Sequence, residues 1–289
     1  MAHKVQISTD SVSDLGDELM AKHGIKVFPL MINLGDESLP DGDGMPQKIF
    51  DYYEKTGKLP KTAARSVEDY KEFFASVKPA DGELVHFCIS TKISASYEMA
   101  AGAANEMEGV YVVDTASLST GSGLSVLYAC DLVETGIYTA KEIYQKCQER
   151  VKHVQASFVL DSVKFLHKGG RCSGLSAFFA SVLSIKPMIR LKDGEMGSGK
   201  KYMTKFTKAV DKYVNDILDT FNTPDLKRIF ITYTTLPAGM VEHITQMILA
   251  RYPFESVIPT VAGGTITSHC GKNTVGILYF NDGAGTSNG

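Results

Sequence analysis

The stretch Leu84–Ala100, "LVHFCISTKISASYEMA", carries the pattern that decides the fold. Its first six residues are largely apolar and read as a short buried strand. Ser90, Thr91, Ser94, Ser96 and Tyr97 then crowd hydroxyls into a few positions, and a helix-like pattern follows at once. Two other segments repeat the arrangement. "KVQI" runs into Ser8, Thr9, Asp10 and Ser11, and "VYVVD" runs into Thr115, Ser117, Ser119 and Thr120. Strands that alternate with helices predict βαβ units and a mostly parallel sheet. The C-terminal strand ends of such a sheet line one rim, where ligands bind. Hydroxyls and helix N-terminal N–H groups on that rim suit an anion. The same residue types are also the usual N-caps, so capping and ligand contact both stay open.

Outward from this core, "IKVFPLMINL" is extended, with Pro29 marking an edge or a bend. Residues 35–65 are polar and rich in glycine and proline, and a long connection of that kind is expected to be a functional cover or a disordered segment. Ser66 with Asp69, and Thr139 with Glu142, have the spacing of capping boxes. Past residue 153 the pattern changes: two short helices around a glycine pair, a strand, and a "KDGE" hairpin turn at Lys192–Glu195. The reading is α/β in two domains: a parallel-sheet domain over 1–153, a mixed-sheet domain over 154–282, and a flexible tail at 283–289.

Composition bounds the function. The chain has 289 residues, 44% hydrophobic and 22% charged, with a net charge of −3, which is the profile of a globular protein with ample core. No Lys/Arg run exceeds two residues, so nucleic acid is not an expected partner. No run of eighteen apolar residues predicts a membrane span, and the first residues lack the apolar core of a signal peptide, so a cytoplasmic setting is expected. The five cysteines are widely spaced without a CxxC, and no HExxH occurs; free buried thiols and no metal site are expected.

Catalytic signatures are weak. The neighbours of Ser94 ("KISAS") and Ser96 ("SASYE") do not form the small-residue elbow of a serine nucleophile, and no base motif lies nearby. "GSGLSV" at Gly121 lacks the third glycine of a dinucleotide fingerprint. Two positions in the second half suit an anion or a partner: Arg171, just after the glycine pair, and His269, in a glycine-bearing loop expected between two strands. A hydrolase or phosphotransferase working at the Ser/Thr rim, and a binder of another small anion, remain the alternatives.

Together, "STDSVSDL", "KTAARS", "ISTKISASYEMA", "VVDTASLSTGSGL", the long "FVLDSVKFLHKGGRCSGLSAFFASVLSIKPMIRLKDGEM" run and the His-x-Gly element before "GILYF" resemble the DegV family, the fatty-acid-binding subunits of bacterial fatty acid kinase. The resemblance covers nearly the whole chain. It implies two α/β domains with a long-chain fatty acid in a tunnel between them, and no catalytic residue or cofactor. Its implied head-group residues are Thr62, Ser94 and His269, with Ile93, Ser96, Tyr97 and Ser119 as neighbouring contacts. Ile93, Met99 and "LSAFFASVLSI" (175–185) are the implied tunnel linings. Arg171 is implied to meet the catalytic subunit of the kinase, which would phosphorylate the presented carboxylate. The chain departs from the family pattern at Ala95, where a glycine is usual, and in "TAARS" and "HCGKNTVG".

Overall fold

The computed structural model describes residues 4–168 and 185–282. Strands β1 (Val5–Asp10) and β2 (Lys26–Phe28) are followed by a short antiparallel set, β3 (Met31–Leu34), β4 (Glu37–Pro40) and β5 (Lys61–Ala63), then by β6 (Glu83–Cys88) and β7 (Val110–Asp114). The order β2-β1-β6-β7 is parallel throughout, as the three hydroxyl-ended runs predict. The second half contributes β8 (Val154–Gln155), β9 (Ser157–Leu160), β10 (Lys186–Lys192), β11 (Glu195–Tyr202), β12 (Pro224–Tyr233), β13 (Val257–Val261) and β14 (Thr274–Asn281). These form one mixed sheet, β11-β10-β9-β14-β12-β13 with β8 beside β14, in which β12 and β13 are the parallel pair. The fold is thus α/β with one parallel and one mixed sheet.

Local chemistry accounts for several of these elements. Both capping boxes form, at Ser66 with Asp69 and at Thr139 with Glu142. In the β10–β11 hairpin Lys192 faces Glu195, and Asp193 and Gly194 both take positive φ, the two-residue turn that matches strand twist. The helix Thr120–Glu134 is buried over most of its length between the two sheets. A core of Phe87, Leu124, Phe230 and Leu278 joins strands of both halves through it. Its "GSG" start serves this packing: a Cβ on Gly123 would lie 2.7 Å from the Ser13 carbonyl oxygen and from Leu15 Cδ2.

Residues 35–65 depart from the expectation of an irregular cover. The segment folds as β4, the helix Met45–Thr56 and β5, with β3 at the centre of a β4-β3-β5 sheet. Its polarity is real but one-sided. Met45, Ile49 and Phe50 form a narrow buried stripe, Pro46 sits in the first turn, and Gly44 and Gly57 bracket the helix in the left-handed region. The stripe packs on a second short helix, Gly264–Cys270, between β13 and β14.

That contact is close enough to require a glycine. A Cβ on Gly264 would sit 2.6 Å from Asp41 Oδ1 and from Ile32 Cδ1, and closer still to Met45 Cγ. Gly264→Ala is expected to destabilise the fold by about 1–3 kcal/mol, the usual cost of overpacking. Gly42→Ala, whose Cβ meets nothing within 4 Å, should stay within about 0.5 kcal/mol of the parent. Urea unfolding of the two variants beside the parent checks both; equal stability of Gly264→Ala and the parent would refute the packing.

Candidate ligand-binding site

His269 stands on the last turn of the Gly264–Cys270 helix, a correction to the loop expected between two strands. "GTITSHC" is a poor helix by propensity, with a glycine and β-branched or hydroxyl residues throughout. It forms because its first N–H groups find carboxylates from the first half of the chain. Asp14 Oδ1 accepts the Gly263 N–H, Asp41 Oδ1 the Gly264 N–H and Asp41 Oδ2 the Thr265 N–H, each at 2.9 Å. Gly263 at the N-cap has no side chain to supply an acceptor, and the acceptors come from distant positions, so the sequence nearby gives no sign of the helix.

At the other end of this helix, His269 Nε2 lies 2.9 Å from Thr62 Oγ1 on β5. Thr62 is fixed by its register opposite Ile32 of β3. Ser94 lies on the turn after β6; its Oγ is 2.9 Å from Ser96 Oγ and accepts the Ser96 N–H at 3.2 Å. Thr62, Ser94 and His269 line one cavity together with Ile93, Leu30, Ile89, Leu118, Phe158, Leu166, Met196, Ile266 and Cys270. Both halves of the chain contribute walls.

A second chamber shares Leu118, Phe158, Ile266 and Cys270 with the first. Hydroxyl residues surround it, but their polar atoms are engaged elsewhere. Ser119 Oγ donates to Asp14 Oδ2 at 2.5 Å, Thr232 pairs with Thr120 at 2.6 Å, Thr234 donates to the Gly271 carbonyl at 2.6 Å, and Ser157 pairs with Tyr213 at 2.9 Å. The inner wall therefore presents carbon.

The remaining sequence candidates divide. Ile93 lines the outer chamber and Ser119 the inner one. Ser96 is fully buried behind Ser94, and Tyr97 and Met99 pack against the Phe28–Tyr70–Phe74 core and do not line the cavity. Their spacing in the helix after β6 turns them toward the outer face of the parallel sheet. Arg171 and residues 175–184 of the expected lining lie outside the described residues, as do Cys172 and the tail at 283–289. The four described cysteines are buried, and Cys88, Cys130 and Cys147 carry free thiols.

Three of the rim hydroxyls bond across the loops of the rim. Ser90 Oγ donates to the Gly194 carbonyl at 2.8 Å, Thr91 to Asp114 at 2.7 Å and Thr115 to the Cys88 carbonyl at 2.8 Å. Neither Ala95 nor Ser119, at the N-cap positions of the two following helices, makes a side-chain cap bond. These hydroxyls staple the rim loops to one another and to the β10–β11 turn. Ser94 is the rim hydroxyl that faces the outer chamber.

Sequence reasoning missed Asp14 and Asp41, whose "DSVSD" and "PDGDG" settings read as turns. Burial pushes the Asp14 carboxyl up to about 8, against the opposing pull of the Ser119 and Gly263 hydrogen bonds. Burial likewise raises Asp10 to about 7, although Asp10 accepts the Ile89 and Val12 N–H groups. Among the described residues no helix is long and apolar enough to cross a membrane.

The family described as "Uncharacterised protein, DegV family" matches residues 4–282. The fatty acid-binding protein of Thermotoga maritima is 29% identical over 280 residues, 94% of this chain and 96% of that protein. A DegV family protein from Thermus thermophilus, described for its fatty acid binding, has a TM-score of 0.88 at 27% identity, covering 96% of this chain and 99% of that one. The Streptococcus pneumoniae Fatty Acid Kinase (Fak) B3 protein loaded with linoleic acid shares the fold at a TM-score of 0.82 and 19% identity, over 96% and 100% of the two chains.

The raised carboxyls set a pH dependence. Unfolded, Asp10 and Asp14 would titrate near 3.8; folded, they keep their protons to about 7 and about 8. Between those limits the native state binds more protons, so stability contributed by the pair is complete at low pH and is lost as pH rises through the folded values. Asp14→Asn removes one titration while leaving an oxygen for the Gly263 N–H. The parent should lose more unfolding free energy than this variant between about pH 5 and about pH 8.5. Denaturant titrations at the two pH values decide; parallel losses would contradict the assignment.

Proposed function

The chain belongs to the DegV family, and from that membership and the shape of its cavity we propose that it binds one long-chain fatty acid, with the carboxylate at Thr62, Ser94 and His269 and the tail in the two chambers. The observation that carries this reading is the distribution of polarity. Hydrogen-bonding groups gather at one end of a cavity whose inner wall is carbon. An acyl tail contributes about 0.8 kcal/mol per buried CH₂, so a sixteen-carbon chain offers about 10 kcal/mol before ordering costs. No Lys or Arg is among the described lining residues, so hydroxyls and an imidazole hold the head group without a permanent buried cation.

The finer reading is that the protein presents the acid and a separate kinase subunit phosphorylates it. A head group held without a lysine or arginine keeps its carboxylate open to a partner, and the likeness to the pneumococcal Fak B3 protein motivates the partnership. Arg171 is assigned to kinase docking on the family resemblance. The serine-hydrolase alternative lacks support at Ser94, whose described hydrogen bonds run to Ser96. A cytoplasmic setting belongs to the same reading, supported by the free thiols of Cys88, Cys130 and Cys147.

Organic extraction of protein purified without detergent should release about one equivalent of long-chain fatty acid per chain. Thr62→Ala and Ser94→Ala should each weaken palmitate binding about tenfold or more, the share of a hydrogen bond to a charged group, with little change in thermal melting. Extracts without acyl species, together with unchanged palmitate affinity in both variants, would overturn the proposal.

A further inference from the structure

We propose that Asp41 is a positioning residue for the head-group pair, holding the first turn of the helix whose last turn carries His269. The proposal rests on the reading that His269 meets the carboxylate. Asp41 and Thr62 belong to the same small sheet: Asp41 directly follows β4, and Thr62 lies on β5. Between them they grip one seven-residue helix at its two ends. A helix of that length spans about 10 Å, so it moves as one body, and a shift at Gly264 reaches His269.

The grip at the first turn is heavily determined. The Asp41 carboxylate accepts the Gly264 and Thr265 N–H groups at 2.9 Å, the Thr265 hydroxyl at 2.6 Å and the Ser11 hydroxyl at 3.1 Å. Its own N–H donates to the Leu30 carbonyl at 2.8 Å, which fixes the backbone from which the side chain reaches. The side chain is buried, yet Asp41 does not line the fatty-acid chambers. It touches the helix and neither of the two chambers. Its neighbours on that helix, Thr265 and Ile266, do line the outer chamber. Hence any influence of Asp41 on a bound head group passes through the placement of the helix. A carboxylate is needed because two N–H groups and two hydroxyls converge on it, and an amide could accept from only one side.

The test uses the full-length protein stripped of lipid, with palmitate and 1-hexadecanol as probes of equal tail and different head. The variants are Asp41→Ala, Asp41→Asn and His269→Ala, read by affinity and by the His269 imidazole resonances without ligand. Asp41→Ala should move those resonances and weaken palmitate about tenfold, while hexadecanol changes less than about twofold. Asp41→Asn, which keeps one acceptor and serves also if the alanine variant does not fold, should fall between the parent and Asp41→Ala. In a His269→Ala background, adding Asp41→Ala should change palmitate affinity little. Equal losses for both probes would mean a general structural role and overturn the proposal, as would imidazole resonances that stay in place. Moved resonances with palmitate affinity unchanged would uphold the positioning and refute instead the head-group role of His269.

Discussion

A seven-residue helix that cannot complete its own first turn is the constraint on which the site depends. The first N–H groups of any helix need acceptors, and the Gly264–Cys270 helix obtains them from Asp14 and Asp41, more than two hundred positions earlier in the chain. The bonds tie the rim of the parallel sheet and the small antiparallel sheet to the segment between β13 and β14. Removing such a group from water is costly, and the cost shows in the raised Asp14 carboxyl. The hydrogen bonds to backbone N–H groups offset it and hold the helix where its other face closes the cavity.

From this placement the character of the cavity follows. The helix brings Ile266 and Cys270 to the junction of the two chambers and His269 to the outer end, within hydrogen-bond reach of Thr62. The hydroxyls behind the inner wall are satisfied inside the protein, so they add hydrogen-bond order without wetting the chamber. The stapled rim completes the enclosure. Hydroxyls that open-sheet proteins often spend on a ligand are spent here on joining loops to the β10–β11 turn.

What was legible in the sequence was local. Apolar runs ending in hydroxyls marked β1, β6 and β7, the capping boxes marked two helix starts, and "KDGE" marked the β10–β11 turn, because each signal lies within a few residues. The helix Met45–Thr56 escaped because one narrow buried stripe in a polar segment resembles a loop. The helix under His269 escaped because its stabilising partners are tertiary. Thr62 and His269 stand 207 positions apart, and no local pattern pairs them; the resemblance to a family named both, and the fold sets them 2.9 Å from each other. Tyr97 and Met99 pack on the Phe28–Tyr70–Phe74 core, and helical spacing alone does not say which face a neighbouring cavity occupies.

The central claim is that the carboxylate of a fatty acid sits against Thr62 and His269 with its tail in the carbon-lined chambers. The most direct measurement is NMR of the lipid-free protein loaded with palmitate labelled at its carboxyl carbon. The account predicts one bound carboxyl resonance distinct from that of free palmitate, with through-space contacts from the first methylene groups to the Thr62 methyl and the His269 ring protons. A carboxyl resonance matching solvent-exposed fatty acid, with those contacts absent, would contradict it.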